Sequence, residues 1–298
     1  MAVSTRLIRR RIKSVANTRK ITKAMELVAA AKMRKAVQLT LASREYAKTI
    51  IGVVKDVSPL VDPMTHPLLA GRREAKRSLL IIAAADRGLC GSFNSLLIKK
   101  TLEFLKTRKE PIDVITVGKK AEGVLKRAGF RIFAAFEAIS NAPSFERSQP
   151  VGELAYKEFM SGNIDRVFLA YTDFKNAVIQ IPKVEQLLPV IPENELPLTV
   201  SKHDEDEMTE KSEPKAIFEP DAEALLNNLL PRLLEMQVYQ SLLESAASEH
   251  SSRTAAMHSA TDNATGMLDD LTLTFNQARQ ASITREISEI SAGKAAIE

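Results

Sequence analysis

Apolar residues recur along the first stretch of the chain in alternating steps of four and three. They begin at Ile8, Ile12 and Val15, resume at Ala29, Met33 and Ala36, and run on through Ala47, Ile50 and Val54 to Val57. Arg19, Thr22, Glu26, Thr40 and Ser43 interrupt the stripe without moving it. Such spacing keeps one narrow face of an α-helix apolar, a seam suited to one partner helix. No proline falls between Ser4 and Val57, whereas Pro59, Pro63 and Pro67 follow at once, so a helix over residues 8–57 stops there. In the middle a second stripe, Ile21, Met25 and Val28, competes with the first and predicts a local shift of register.

The C-terminal third repeats the pattern from Leu226 to Ser282, with Gln240, His250 and Thr254 as polar seam positions that would set register. Beyond Ser282 the stripe moves over by one residue to Ile283, Ile287 and Ile290. Asp221 is the expected N-cap, Pro231 should kink the first turns or mark where the regular helix begins, and Gly293 should end it. At 1.5 Å per residue the two helices would be roughly 80 Å and roughly 100 Å long, too long for a small globular domain to bury. Each needs the other. Because both join the middle of the chain at their inner ends, they form an antiparallel two-helix coiled coil.

Between them, strand-like runs RSLLIIAAA, DVITVG, RIFAAF and RVFLAYT alternate with the helical segments SFNSLLIKKTLEFLKT, KAEGVLKRAG and VGELAYKEFMSG. That βαβ series predicts a mainly parallel, Rossmann-like sheet, to which NAVIQIPKVEQLLPV adds a last antiparallel or edge strand, held to that position by Pro182. The fold class is therefore α/β with a long coiled coil. It divides into an N-terminal helix (1–58), a linker (59–75), a central α/β domain (76–200), an acidic segment (201–220), a C-terminal helix (221–292) and a tail (293–298).

Charge adds a partner to this picture. Residues 1–35 carry eleven basic side chains against one acid, Glu26, and residues 203–223 hold nine acids against two lysines. The basic run surrounds the helix at Arg9, Arg10 and Arg11, more than a solvated face requires, which points to an acidic partner. Nucleic acid is the weaker candidate, because the chain has no Trp and the first aromatic after Met1 is Tyr46. With 45% hydrophobic residues the chain can fill a core, but no apolar run approaches the roughly 18 residues that cross a bilayer. One cysteine, Cys90, excludes an internal disulfide, and the four histidines show no metal-binding pairing, so no metal and no cofactor is expected. The Arg-rich start also has the composition of a transit peptide, but the helical pattern runs through it without a processing-like break.

The loop Asp86–Asn94, DRGLCGSFN, lies where a strand hands over to a helix, the usual place for phosphate loops and nucleophiles. It matches neither GxxxxGK[ST] nor GxGxxG, and neither an arginine nor a histidine follows Cys90 closely to activate it. A tight turn around a small buried thiol is the commoner origin of such a sequence.

Three long segments carry a family resemblance: IKSVANTRKITKAMELVAAAKMRKA, the loop DRGLCGSFN, and LLESAASEHSSRTAAMHSATDNATGMLDDLTLTFNQARQASITREISEI. Together they resemble the γ subunit of bacterial F-type ATP synthases, in the family's order over nearly the whole chain. The resemblance implies a non-catalytic rotor shaft. It would couple rotation of an ion-driven c-ring to conformational changes of the catalytic β subunits, with α, β, ε and the c-ring as partners, in single copy within a hetero-oligomer. The location implied is the cytoplasmic face of the plasma membrane, without nucleic acid or a membrane span of its own.

The family's catch contacts with β fall on Arg279, Gln280 and Thr284, and its lever contacts on Lys20, Lys23 and Met25. Ile283, Ile287 and Ile290 would form the apolar tip. Asp86, Arg87, Gly88, Cys90 and Gly91 would build the base-domain turn, with Asp86 and Arg87 facing a β subunit, and Phe218 and Glu219 would belong to the foot near the c-ring. The chain departs from the family's pattern at Ser92, where a glycine is common, and in its tail, where Lys294 and Glu298 are polar. It also lacks the paired cysteines of the chloroplast thiol switch. Two other classes predict different behaviour: an enzyme built on the α/β domain would turn over a nucleotide or phosphate ester, and a coiled-coil scaffold would bind DNA with steep salt dependence.

Overall fold

A computed structural model describes residues 5–57, 60–61, 67–71, 75–190 and 222–295. The element order is α1 (Thr5–Val57), α2 (Pro67–Ala70), β1 (Ser78–Ala83), α3 (Phe93–Thr107), β2 (Ile112–Val117), α4 (Lys119–Arg127), β3 (Arg131–Phe136), α5 (Phe145–Met160), β4 (Arg166–Phe174), β5 (Gln180–Leu188) and α6 (Ala222–Ala295). Two compact units arise: residues 1–29 with 253–298, and residues 30–252. Both α1 and α6 contribute to each.

The larger unit is built on a five-stranded sheet in the order β3-β2-β1-β4-β5. β1 pairs in parallel with β2 and β4, β2 in parallel with β3, and β5 antiparallel with β4. Leu79, Leu80, Ile81 and Ile82 are all fully buried, because helices cover both faces and a central strand then needs no polar side. Leu80, Ile82, Val114 and Phe168 pack beneath α3 and α4. Leu79, Ile81, Ile115 and Leu169 face the other way, towards α5 and the parts of α1 and α6 around Val54, Leu230 and Leu234. As expected from Pro182, β5 is an antiparallel edge strand, and Pro182 stands opposite Thr172.

Gly118 closes the turn from β2 to α4 at φ 97°, a conformation that side chains rarely adopt. Its N–H donates to the Phe136 carbonyl at 2.9 Å, and a Cβ there would sit 2.1 Å from the Ala84 carbonyl oxygen.

In the smaller unit α1 and α6 run antiparallel. Arg9 lies over the Phe275 ring at 5.3 Å, Thr261 Oγ1 donates to Thr22 Oγ1 at 2.8 Å, and Glu26 meets His258. The same sense holds within the larger unit, where Ser43 donates to Gln240 and Ala36 packs on Ala246 and Ala247.

Four expectations need correction. The stripe Ile21, Met25 and Val28 does not take over the seam: Ile21 and Val28 are exposed, while Thr22 and Ala29 are buried on the original four-three spacing. Small residues there let the helices close around the Thr22–Thr261 bond, which larger aliphatics would prevent. Of the two alternatives for Pro231, the start of the regular helix is excluded, because Pro231 lies inside α6, which begins at Ala222. Leu226, Leu230, Leu233 and Leu234, all buried, hold the turns on either side of the one backbone bond it forfeits. Gly293 does not end α6, which continues to Ala295. Finally, α5 begins at Phe145, before Val151, and carries Pro150 internally, because Ser148 and Val151 share its buried face. The expected N-cap Asp221 lies outside the described residues.

Candidate partner-binding surfaces

The loop after β1 is held from within. Asp86 accepts the Lys119 backbone N–H at 3.3 Å through Oδ1 and the Ser140 hydroxyl at 2.8 Å through Oδ2. Its own N–H reaches Ser140 Oγ at 3.2 Å. One carboxylate thus ties the β1, β2 and β3 exits together. Asn94 Oδ1 accepts the Ala85 N–H at 3.0 Å, and Asn94 Nδ2 donates to Cys90 Sγ at 3.1 Å. Gly91 and Leu89 both adopt positive φ, 55° and 59°. Cys90 is buried in this turn with Ala85 and Phe93. Gly88 is half-buried, and Arg87 and Leu89 point outward.

The strand order reverses between β1 and β4, and the crevice at their carboxyl ends is where open α/β sheets hold ligands. Here α6 fills it. Ser245 Oγ accepts the Thr172 N–H at 3.0 Å, His250 Nε2 lies 3.2 Å from the Asn141 carbonyl, and a Cβ on Gly91 would lie 3.8 Å from the Ser252 carbonyl oxygen. Gln240 is buried and accepts from Ser43 of α1 across the seam, whereas His250 is buried against the Asn141 carbonyl before α5 and Thr254 is half-buried.

Beside the crevice lies a buried charged cluster that the sequence pattern gave no means of finding. Asp173, fully buried, meets Lys175 at 3.2 Å and Lys183 at 2.7 Å. Tyr171 donates to Glu185 at 2.9 Å, and Glu244, also buried, meets Gln240 at 3.2 Å and Arg44 at 3.9 Å. Burial pushes the Glu185 carboxyl above its ordinary value, against the opposing pull of the Tyr171 bond and the Lys183 charge. Burial lowers the Lys183 ammonium, but Asp173, with Glu185 and Glu244, more than reverses that and leaves it raised.

A carboxyl raised in the folded state binds more protons there than in the unfolded chain, so its contribution to stability is present in acid. That contribution is lost as pH rises from the usual glutamate range through the raised value. Glu185→Gln should therefore flatten that fall in the urea midpoint, followed by tyrosine fluorescence in a chain with four Tyr and no Trp. Parallel midpoint-versus-pH curves for the two proteins would refute it.

In the smaller unit, Lys23 donates to Glu26 at 3.0 Å, and Glu26 also faces His258 Nδ1 at 3.3 Å. The Lys23 bond holds the Glu26 carboxyl below its usual value, with burial opposing. Lys20 is exposed and Met25 half-buried. Arg279, Gln280 and Thr284 are all exposed on α6, and Ile283, Ile287 and Ile290 form an exposed stripe, Ile290 at 73%. The Thr22–Thr261 pairing puts Lys20–Met25 across from residues near 258–263. At 1.5 Å per residue that is roughly 25 Å along the coil from Arg279, so the structure presents two separate surfaces and not one. Phe218 and Glu219 lie outside the described residues.

Among the described residues, no helix is long and apolar enough to cross a membrane and no group of three or more His, Cys, Asp or Glu is placed to hold a metal. A sheet whose ligand crevice is closed by its own helix, joined to an exposed two-helix coil, defines a component of a larger assembly. The comparisons say which. A family model described as "ATP synthase" matches residues 4–297. The ATP synthase gamma chain of Pelotomaculum thermopropionicum is 41% identical over 295 residues, covering 99% of both chains. That of Heliobacterium modesticaldum is 41% identical over 291 residues, covering 97% of this chain and 98% of its own. The chain belongs to the ATP synthase gamma chain family. Among solved structures, a chain of the Tetrahymena thermophila mitochondrial ATP synthase central stalk and c-ring aligns at 27% identity and TM-score 0.58, over 80% of this chain and 99% of that one. A Euglena gracilis mitochondrial ATP synthase chain aligns at 18% identity and TM-score 0.65, over 98% of this chain and 94% of its own, a likeness of fold.

Proposed function

We propose that this chain is the central rotor shaft of an F-type ATP synthase, carrying rotation of an ion-driven c-ring to the β subunits that make or hydrolyse ATP. It is non-catalytic, present once per complex, and peripheral to the membrane on its cytoplasmic face, with α, β, ε and the c-ring as neighbours. The observation that carries this reading is the pairing of full-length family membership with a coil whose outer faces are left unburied: Lys20 on α1, and Arg279, Gln280 and Thr284 on α6.

On this reading Lys20, Lys23 and Met25 meet the acidic lever of β, and Arg279, Gln280 and Thr284 are gripped by its catch. Ile283, Ile287 and Ile290 turn inside the apolar sleeve of the ring, where few fixed hydrogen bonds resist rotation. The loop at Asp86–Gly91 serves as a structural turn: Asp86 spends both oxygens within the chain, which leaves Arg87 as the outward group. Closure of the switch-point crevice by α6 speaks against a nucleotide site on this sheet and so against the enzyme reading. Phe218 and Glu219 are assigned to the foot.

Co-expression with the α, β and ε subunits of a γ-deleted bacterial host tests the proposal. Restored ATP-driven ion pumping in membrane vesicles is expected. A chain that is soluble yet never recovered with α and β would end the rotor reading.

A further inference from the structure

Residues 240–251 of α6 are buried on every side, a situation that normally calls for an apolar helix. The stretch reads QSLLESAASEHS, and its polar groups are spoken for. The pairing of β1 with β4 ends at Ile82 and Ala170, so Thr172, two residues further along β4, has no β1 residue paired with it. Ser245 Oγ accepts the Thr172 N–H at 3.0 Å, and Ser248 Oγ donates to the Thr172 carbonyl at 3.3 Å. Three residues on, Ser251 Oγ donates to the Ala177 carbonyl at 2.8 Å and accepts from Gln180 Nε2 at 3.2 Å. The serines follow one another at intervals of three; Ser245 and Ser248 continue at Thr172 the backbone pairing that β1 leaves off, and Ser251 extends the contact to the β4–β5 turn. Towards α1 the same stretch offers Gln240 to Ser43 and Glu244 to Arg44.

Apolar contact is non-directional and scales with area, so it fixes the axial position of a helix less sharply than directed bonds do. Hydrogen bonds weaken steeply with angle and distance, and an axial slip of one residue, about 1.5 Å, would break all of them. We propose that Ser245, Ser248 and Ser251 are the torque-bearing positioning residues of the rotor, keying α6 to the β4–β5 hairpin so that the turning base cannot slip past the helix. This rests on the rotor reading above.

The test uses the whole complex in sealed vesicles and measures ATP-driven ion pumping against an imposed gradient, relative to ATP hydrolysis by the same preparation without a gradient. Ser245→Ala, Ser248→Ala and Ser251→Ala combined should leave unloaded hydrolysis close to wild type and lose the larger part of pumping under load. Val238→Ala, which truncates a fully buried apolar side chain of the same helix, should keep the wild-type ratio. A wild-type ratio in the serine variant overturns the inference, and so does an equal drop in both variants, which would mean a loosened fold and not a lost key. If the triple variant does not assemble, Ser248→Ala and Ser251→Ala singly are measured in the same way, and a wild-type ratio in both overturns it. Failure of the wild-type complex to pump would instead remove the rotor reading itself.

Discussion

Replacing Arg279, Gln280 and Thr284 together by alanine should leave the complex assembled in normal amounts and sharply reduce its ATP-driven ion pumping. All three side chains are exposed, so their loss costs the fold of this chain little. On the proposed rotor reading, what they would supply is discrimination. A rotor face moves a β subunit only to the extent that it binds one conformation better than another, and equal affinity moves nothing. Hydrogen bonds, including those from a charged guanidinium, contribute about 1 to 3 kcal/mol each. Losing three such contacts erodes the preference by about 3 kcal/mol, or about a hundredfold in population. Quantifying assembled complex by gel filtration beside pumping in vesicles separates the two effects. A triple variant that assembles and pumps like wild type would show that the grip on β lies elsewhere, with Lys20 and Lys23 the next residues to examine.

The second large effect is structural. Gly118→Ala should destabilise the base by about 3 kcal/mol or more, because two penalties coincide: a positive φ that alanine resists and a Cβ placed against a backbone carbonyl. The atoms in the way are the Ala84 oxygen at 2.1 Å and the Ala84 carbonyl carbon at 2.7 Å. Ala84 directly follows β1 and its N–H donates to the Val117 carbonyl at 2.8 Å, so this backbone cannot step aside as a flexible side chain would. The expected outcome is a strong fall in soluble full-length chain and, in whatever is recovered, a much lower urea midpoint. Gly123→Ala, where a Cβ would meet nothing within 4 Å, is the matched control and should fold normally. Wild-type stability in Gly118→Ala would mean that the turn can open without cost to the sheet.

Much of the architecture was legible because it rests on periodicity. The four-three stripe from Ile8 to Val57 marks positions that are buried or half-buried throughout, and the apolar run LLIIAAA, read as a strand, supplies most of β1. Composition misled where local signals oppose packing. The helical run read from Val151 in fact begins six residues earlier and contains Pro150, and Pro231, read as a kink or a start, lies within α6, each helix having enough buried side chains in the neighbouring turns to hold it. Ile21 and Val28 read as seam because they are apolar, yet they are exposed, which suits a surface meant for another subunit more than a seam. Least legible was the polar interior. Nothing in the spacing of Asp173, Lys183, Glu185 and Glu244 announces that they converge, since three come from one hairpin and the fourth from a helix some sixty residues further along the chain. The Ser- and Ala-rich run from Ser241 to Ser252 was the one usable hint, because small residues in sequence promise close approach of a helix to something flat.

The helix that fills the crevice at the ends of β1 and β4 stands to the sheet as a ligand stands to its receptor, except that it is tethered and cannot diffuse away. Mass action then works at an effective concentration set by the tether and not by the cell. The sheet is stabilised by an occupant that is never diluted, and the helix is held in register by a receptor that is never empty. By linkage, whatever biases the pose of the helix must alter the stability of the sheet by the same amount, and the converse holds equally.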